Sequence, residues 1–152
     1  MDRRQMLGLL GAGAAGLAAP SGGSARAQDH PHHHDAEHGD CLKACLHGAE
    51  VCNETFHYSF GHLKDGHVEH ARVAELTIDC QDFCKLAAAL LARESAQVAH
   101  ACLACAEACK ACVDECAKHD DAQMKECVAA CRACEQACRA MAERARVGKQ
   151  PA

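Results

Sequence analysis

Residues 101–142 read ACLACAEACKACVDECAKHDDAQMKECVAACRACEQACRAMA. Cysteines recur in this stretch at steps of three and four residues, in two groups: Cys102, Cys105, Cys109, Cys112 and Cys116, then Cys127, Cys131, Cys134 and Cys138. Helical bundles and coiled coils place Leu and Ile in their cores at this spacing. At about 100° per residue, each group lies within an arc of under ~90° on its helix. The stretch therefore predicts two helices whose buried faces consist of thiols.

The rest of the composition makes a conventional apolar core thin. The 152 residues, enough for one small domain, include 14 Cys but only three Phe, one Tyr and no Trp. Small domains with so few large side chains are usually held together by metal or disulfides. The net charge of −5 argues against nucleic acid as a partner, because phosphate binding needs a basic face.

The N-terminus has the order of an export signal. Arg3 and Arg4 precede an Ala/Gly-rich apolar stretch at residues 7–19, and residues 25–27 form an A-x-A site that predicts cleavage before Gln28. The order DRRQML at residues 2–7 resembles a twin-arginine signal. Thirteen apolar residues are too few for a membrane anchor, which needs about 20. We expect residues 1–27 to be removed and the protein to be periplasmic, with no membrane association afterwards.

A polar, His-rich tail is expected at residues 28–40. Its imidazoles are compatible with a low-affinity metal collector and equally with a solvated leader; they are His30, His32, His33, His34 and His38.

Residues 41–147 then predict four helices joined by short links, which favours an all-α, antiparallel up-down-up-down four-helix bundle with a cysteine-lined core. Helix 1 is expected from Asp40, as N-cap, to His62, and helix 2 from His67 to Arg93. Helix 3 follows Ser95 and ends near Lys118, and helix 4 follows Asp120 or Asp121 and ends near Val147. The inward stripe of helix 1 is Cys41, Cys45, Gly48, Cys52, Thr55 and Ser59, and that of helix 2 is Val73, Leu76, Thr77, Cys80, Cys84, Ala87 and Leu91.

The antiparallel order of the helices gives a map of the thiols along the bundle. One end is expected to hold Cys41, Cys84, Cys102 and Cys138; the middle, Cys52, Cys80, Cys109 and Cys131; the other end, Cys116 and Cys127. The helix 3 cysteines alone span ~21 Å. The thiols therefore line a tube rather than form one compact site.

Four chemistries compete for these thiols. Export and an even number of cysteines favour a disulfide scaffold, but disulfides within straight helices would strain the backbone. Against an iron–sulfur electron-transfer site, the chain lacks the order of cysteines found in ferredoxins and the proline that follows it. Zinc prefers closed tetrahedra of four ligands. Soft thiolates select Cu(I), which accepts two or three sulfurs. If each thiolate bridges two ions, Cu(I) and thiolate are equal in number and the filled core is neutral, which favours copper.

The spacing across all four helices resembles that of the bacterial copper storage proteins. The matching motifs are CLKAC at residues 41–45, DCQDFCKL at 79–86, Cys102 to Cys116 followed by AKHD, and Cys127 to Cys138 followed by RAM. The resemblance implies Cu(I) storage without catalysis, commonly in a homotetramer, and the twin-arginine signal indicates the exported branch. A copper chaperone or cuproenzyme would receive the copper, or storage would confer tolerance.

This chain has Gly48, Thr55 and Ser59 where some members of that family carry Cys. The thiol-poor end would be the mouth through which metal is loaded, with His119 and Met124 as expected exchangeable ligands. His57 and His70 are weaker candidates there, and Met141, at the opposite end, is expected to pack. The expected metal ligands are His119, Met124, Cys41, Cys45, Cys52, Cys80, Cys84, Cys102, Cys105, Cys109, Cys112, Cys116, Cys127, Cys131, Cys134 and Cys138.

Overall fold

The computed structural model describes residues 36–147, which fold into four α-helices and a short 3₁₀ turn. The elements are α1 (Ala36–Lys64), the 3₁₀ turn (Val68–His70), α2 (Ala71–Ala92), α3 (Val98–Cys116) and α4 (Ala122–Val147). Within this part of the chain there is no β-strand. Each helix packs against its two neighbours around the ring, in the pairs α1–α2, α2–α3, α3–α4 and α4–α1. The predicted four-helix bundle is confirmed.

Short turns set the antiparallel order of the helices. At the end of α1, Gly66 adopts a positive φ of 92°, which glycine reaches without steric cost, and its N–H donates to the Leu63 carbonyl. Before α4, the Asp121 carboxylate accepts a hydrogen bond from the Met124 N–H at 3.0 Å. Asp121 therefore caps α4, as one of the two predicted alternatives, and Asp120 instead pairs with Lys125.

The start of α1 differs from the prediction. The helix begins at Ala36, and Asp40 lies inside it, paired on the surface with Lys43 at 3.1 Å. Glu37 in the first turn favours this longer helix, because a carboxylate is stabilised near a helix N-terminus. Glu37 also forms an ion pair with Arg144 of α4, which fastens the first turn to the bundle. The predicted signal peptide and His30 to His34 of the tail lie outside the described residues.

The core is made of sulfur and small apolar groups. All fourteen cysteines are at most 1% exposed, and few bulky apolar side chains are at most 2% exposed: Leu91, Met124, Val51 and Val73. Every residue of the predicted α1 stripe is buried. The predicted α2 stripe is also buried except for Leu76, which is half-buried. No helix in the described range is both long enough and apolar enough to cross a membrane.

Candidate metal centre

All fourteen cysteines are free thiols facing the bundle axis. Their contacts are weak S–H···S hydrogen bonds, with sulfur–sulfur distances between 3.4 Å, for Cys45 and Cys138, and 4.0 Å, for Cys127 and Cys131. A disulfide needs about 2.05 Å between its sulfurs. The disulfide alternative therefore has no bonded pair to support it within residues 36–147.

The thiols form a continuous ladder of overlapping groups. In five of them the sulfurs all lie within 4.8 Å of one another: Cys41/Cys102/Cys138, Cys45/Cys105/Cys134/Cys138, Cys84/Cys105/Cys109/Cys134, Cys80/Cys109/Cys131 and Cys52/Cys112/Cys127/Cys131. Cys116 extends the ladder through contacts of 3.9 Å to Cys112 and 3.6 Å to Cys127. Each group shares a cysteine with the next, so a metal ion in one group has a ligand in common with its neighbour.

The order along this thiol ladder agrees with the predicted map except at Cys84. The prediction places Cys84 with Cys41 at one end, but the structure groups it with Cys105, Cys109 and Cys134, further inside. The cause is the position of α2, which starts at Ala71, after the 3₁₀ turn. At about 1.5 Å per residue, α2 continues for two more turns beyond Cys84. It is therefore Leu91 that reaches the Cys41 end.

Hydrogen bonds between the thiols distribute their protons unevenly. Hydrogen bonding of Cys116 to Cys112 and Cys127, with burial adding to it, raises the pKa of Cys116, so this thiol keeps its proton at neutral pH. Cys116 donates to Cys127 at 3.6 Å, which is consistent with that state. Cys105 donates to Cys84 at 3.6 Å, and this bond is the main cause that lowers the pKa of Cys84 to about 6. Cys84 is thus better placed than Cys116 to bind metal as a thiolate.

Gly48 leaves a recess in the wall of the thiol ladder. A Cβ at this position would lie 3.3 Å from Cys84 Sγ and 3.6 Å from Cys134 Sγ. Both of these cysteines belong to one four-thiol group. The missing side chain therefore gives that group room beside its sulfurs.

The thiol groups are large enough for more than one kind of metal ion, but the sharing of cysteines between groups distinguishes zinc from copper. A tetrahedral zinc site with Zn–S bonds of about 2.3 Å needs sulfurs about 3.8 Å apart, which the four-thiol groups can supply. Two of those groups share Cys105 and Cys134, so they cannot be filled as separate closed tetrahedra. Four thiolates around Zn²⁺ would also leave a buried double negative charge. Bridged Cu(I) uses every sulfur and leaves no net charge.

Beyond Cys116 and Cys127 the thiols give way to hydroxyls and a thioether. Thr55, Ser59, Thr77 and Met124 are fully buried at this level. Thr55 donates to the Val51 carbonyl at 2.8 Å and accepts a hydrogen bond from the Gln123 amide at 3.1 Å. The Ser59 hydroxyl has no hydrogen-bond partner although it is buried. We call this region, with the imidazoles described next, the His119 end.

Four imidazoles converge at the His119 end. His70 lies between His62, stacked at 4.4 Å between ring centroids, and His119 at 5.0 Å, and His67 lies 5.4 Å from His62. His70 is 7% exposed, and its Nδ1 is buried without a hydrogen-bond partner. Burial, followed by the charges of His62 and His119, lowers the pKa of His70. A neutral imidazole with an unpartnered nitrogen is suited to binding a soft metal ion.

A groove connects the His119 end with the first thiol of the ladder. It lies between α3 and α4, has a volume of about 380 Å³, and is lined by Cys116 and His119. Of the predicted ligands at this end, His119 is half-buried and Met124 fully buried. His57 is exposed and makes none of the imidazole contacts described above. His57 lies on the outward face of α1, because residue 57 falls between the buried positions Thr55 and Ser59.

The prediction missed His62 and His67. His62 could have been found, because it continues the inward stripe of α1 by three residues after Ser59. His67 could not, because its position depends on the turn between α1 and α2.

Comparison with known proteins agrees with this geometry. Residues 30–143 match the family model described as "Copper storage protein". A search of curated sequences gives no match.

Solved structures of similar proteins have the same fold. Apo copper storage protein 3 from Bacillus subtilis is 33% identical, with a TM-score of 0.61, covering 68% of this chain and 97% of that one. A cytosolic copper storage protein from Streptomyces lividans, solved with five coppers, is 29% identical, with a TM-score of 0.64, covering 70% and 92%. The Streptomyces lividans protein loaded with 10 copper equivalents is 29% identical, with a TM-score of 0.65, covering 70% and 84%.

Proposed function

The chain belongs to the copper storage protein family, and on that premise we propose that its fourteen buried thiols hold Cu(I) as cargo. The observation that carries this proposal is the unbroken sharing of cysteines along the thiol ladder. A chain with discrete metal centres would separate them by apolar residues. Here a sulfur is available wherever an ion would need its next ligand, so many ions can be held side by side.

The physical chemistry of the core supports both an empty and a filled state. Without metal, the thiols that keep their protons pack as small hydrophobic groups and need no counterion. With Cu(I), each thiol loses its proton and each ion cancels one thiolate charge. Binding therefore changes the content of the core without burying net charge, and it requires no catalytic turnover. Storage serves either supply of copper to a chaperone or cuproenzyme, or tolerance.

Copper uptake by the reduced, metal-free chain tests the proposal. Titration with Cu(I) under anaerobic conditions, followed by competition with a Cu(I) chelator, should reach about one ion per thiol if the thiolates bridge. A parallel titration with Zn²⁺ should saturate at far fewer ions. Saturation with one or two Cu(I), or tighter filling by zinc than by copper, would contradict storage in the thiol ladder.

Loading is proposed to occur at the His119 end. His119, His70 and Met124 offer neutral nitrogen and sulfur ligands, which bind Cu(I) without adding charge and can release it to the thiolates beyond. Support comes from the unpartnered His70 Nδ1 and from the groove that reaches Cys116. His62 lies in the same ring cluster and would hold His70 in place by stacking.

Loading kinetics separate this role from storage itself. His119→Ala combined with Met124→Leu should slow uptake while leaving the capacity near that of the parent chain; leucine keeps the volume of the buried methionine. His57→Ala is the matched control, since His57 is an exposed histidine of α1 outside the cluster. Unchanged uptake in the double variant, or equal slowing in the control, would refute loading at this end.

The remaining proposals concern the whole chain. We propose export of a mature protein that starts at Gln28, with residues 1–27 as signal, residues 28–40 as a tail that runs into α1, and residues 41–147 as the copper-binding bundle. Determining the mature N-terminus in the producing organism tests this, and a mature protein that starts at Met1 would refute it. A homotetramer is also proposed, and the molar mass in solution tests it.

A further inference from the structure

The bundle has a second groove, at the end opposite to the imidazoles. It lies between the start of α1 and the end of α4 and has a volume of about 720 Å³. Its lining includes Glu37, Asp40, Cys41, Met141, Glu143 and Arg144. We call this region, where Cys41, Cys102 and Cys138 form the last thiol group, the Cys41 end.

The floor of this groove contains sulfur. Cys41 lies in the groove lining and is also a member of the last thiol group, with its Sγ 3.9 Å from Cys138 Sγ. Met141 follows Cys138 in α4 by three residues, about 4.5 Å along the axis. It is 7% exposed and lines the same groove. The Met141 thioether therefore lies beyond the last thiol along the bundle axis, on the side that faces the groove.

The other side of the Cys41 end is apolar. There α2 and α3 bring Leu91, Val98 and Ala101, all buried, over the end of the core. These side chains offer no metal ligand. The groove on the α1–α4 side, in contrast, combines the sulfurs of Cys41 and Met141 with charged groups.

The rim of the groove carries three carboxylates and one guanidinium. Glu37 pairs with Arg144 across the groove, and Asp40 pairs with Lys43 outside it. Glu143 is exposed on α4 beside Arg144. A concave surface with an excess of carboxylates raises the local concentration of cations. The rim therefore favours approach of a positively charged ion to the sulfurs below.

We propose that this groove is a second exchange site for Cu(I), with Cys41 Sγ and Met141 Sδ as its sulfur ligands. The proposal rests on the storage function above. The step is a ligand exchange without a change of oxidation state: Cu(I) leaves the donor atoms of its carrier and bonds to the two sulfurs, and the Cys41 proton passes to solvent. One thiolate balances the charge of one Cu(I), and the neutral thioether completes the site.

Loading of the full chain with the His119 end disabled tests the proposal. In a background of His119→Ala and Met124→Leu, Cu(I) supplied as its cationic acetonitrile complex should still enter, more slowly than in the parent. Adding Met141→Leu, which preserves volume, should slow this residual uptake by about tenfold, as expected when a metal site loses a contributing group. Unchanged or faster uptake would overturn the proposal, since a packing role alone predicts one of these.

Two further arms separate a binding role from a structural one. With ¹³C-methyl methionine, the Met141 signal, assigned by Met141→Leu, should shift as the ladder nears saturation; a signal that does not move up to full loading would overturn the assignment. Glu143→Gln should weaken the dependence of residual uptake on ionic strength, whereas Glu54→Gln, an exposed carboxylate at mid-α1, should not. Equal effects of these two variants would also overturn it.

Capacity measured on the same samples distinguishes the two levels of proposal. If the parent chain does not approach one Cu(I) per thiol, storage itself has failed. If capacity is reached and Met141→Leu changes neither rate nor spectrum, only the second exchange site has failed.

Discussion

Replacing Gly48 by alanine should act in opposite directions on the empty and the filled protein. In a helix, alanine is about 1 kcal/mol more favourable than glycine. The new Cβ would lie 3.3 Å from Cys84 Sγ, which is close but not forbidding, because a free thiol can rotate away by a few tenths of an ångström. We therefore expect metal-free Gly48→Ala to be more stable than the parent by about 0.5 to 1 kcal/mol, or roughly 4 °C in melting temperature.

The filled protein should respond differently because metal fixes the sulfur. Once Cu(I) bridges the group that contains Cys84 and Cys134, Cys84 Sγ can no longer move out of contact with the methyl group. The recess beside these sulfurs is also lost. The variant should therefore bind about one Cu(I) fewer than the parent, or hold its weakest ion about tenfold less tightly, as a disturbed ligand shell predicts.

Thermal unfolding of the reduced, metal-free chain followed by circular dichroism measures the first effect, and chelator competition measures the second. Gly61→Ala is the control: Gly61 also lies in α1, and a Cβ there meets nothing within 4 Å. It should raise stability without touching copper. A destabilised metal-free Gly48→Ala would mean that the core cannot absorb the methyl group. Unaltered copper binding in a stabilised Gly48→Ala would mean that the recess plays no part in holding metal, and the reasoning above would be refuted.

Three other predictions follow from the thiol ladder and the imidazole cluster. Thr55→Cys should extend the ladder towards the His119 end and add about one Cu(I), measured by titration, and an unchanged capacity would contradict the extension. The same variant should lower the metal-free stability by about 1 kcal/mol, measured by chemical denaturation, because Gln123 loses its hydroxyl acceptor. Since the folded state lowers the pKa of His70 from 6.5, the unfolded chain takes up its proton more readily, so the contribution of His70 to stability is complete above pH 6.5 and is lost as the pH falls below it. The melting temperature of the metal-free parent should accordingly fall more steeply below pH 6.5 than that of His70→Gln, and parallel curves would contradict the burial argument. Finally, Cu(I) binding should release about one proton for each thiol that is still protonated, measured in weakly buffered solution; absence of release would mean that the thiols are ionised before metal arrives.

The helical stripes could be predicted because they depend on local periodicity alone. Cysteines three and four residues apart must share one face of a helix, so the burial of Cys102 or Cys131 follows from spacing. The extension of α1 to Ala36 could not be predicted in the same way. It involves the ion pair of Glu37 with Arg144, two residues that are far apart in the sequence and meet only in the folded bundle.

Positions along the bundle axis were harder to predict than positions around it. The level of Cys84 depends on where α2 begins, which the 3₁₀ turn at Val68–His70 determines. The imidazole cluster depends on three separate segments: the last turns of α1, the turn before α2, and the link between α3 and α4. Nothing in the spacing of His62, His70 and His119 shows that these segments meet, because the link lengths and the starting points of the helices decide it.

The shared cysteines have a consequence for the order in which copper can leave. An ion that moves only between neighbouring thiol groups travels in single file, and ions in file cannot overtake one another. With an opening only at the His119 end, the last ion taken up is the first released, and those near Cys41 stay until all others have gone. With a second opening beside Met141, the earliest ion can leave first, and the same row of sulfurs becomes a passage with a direction of flow.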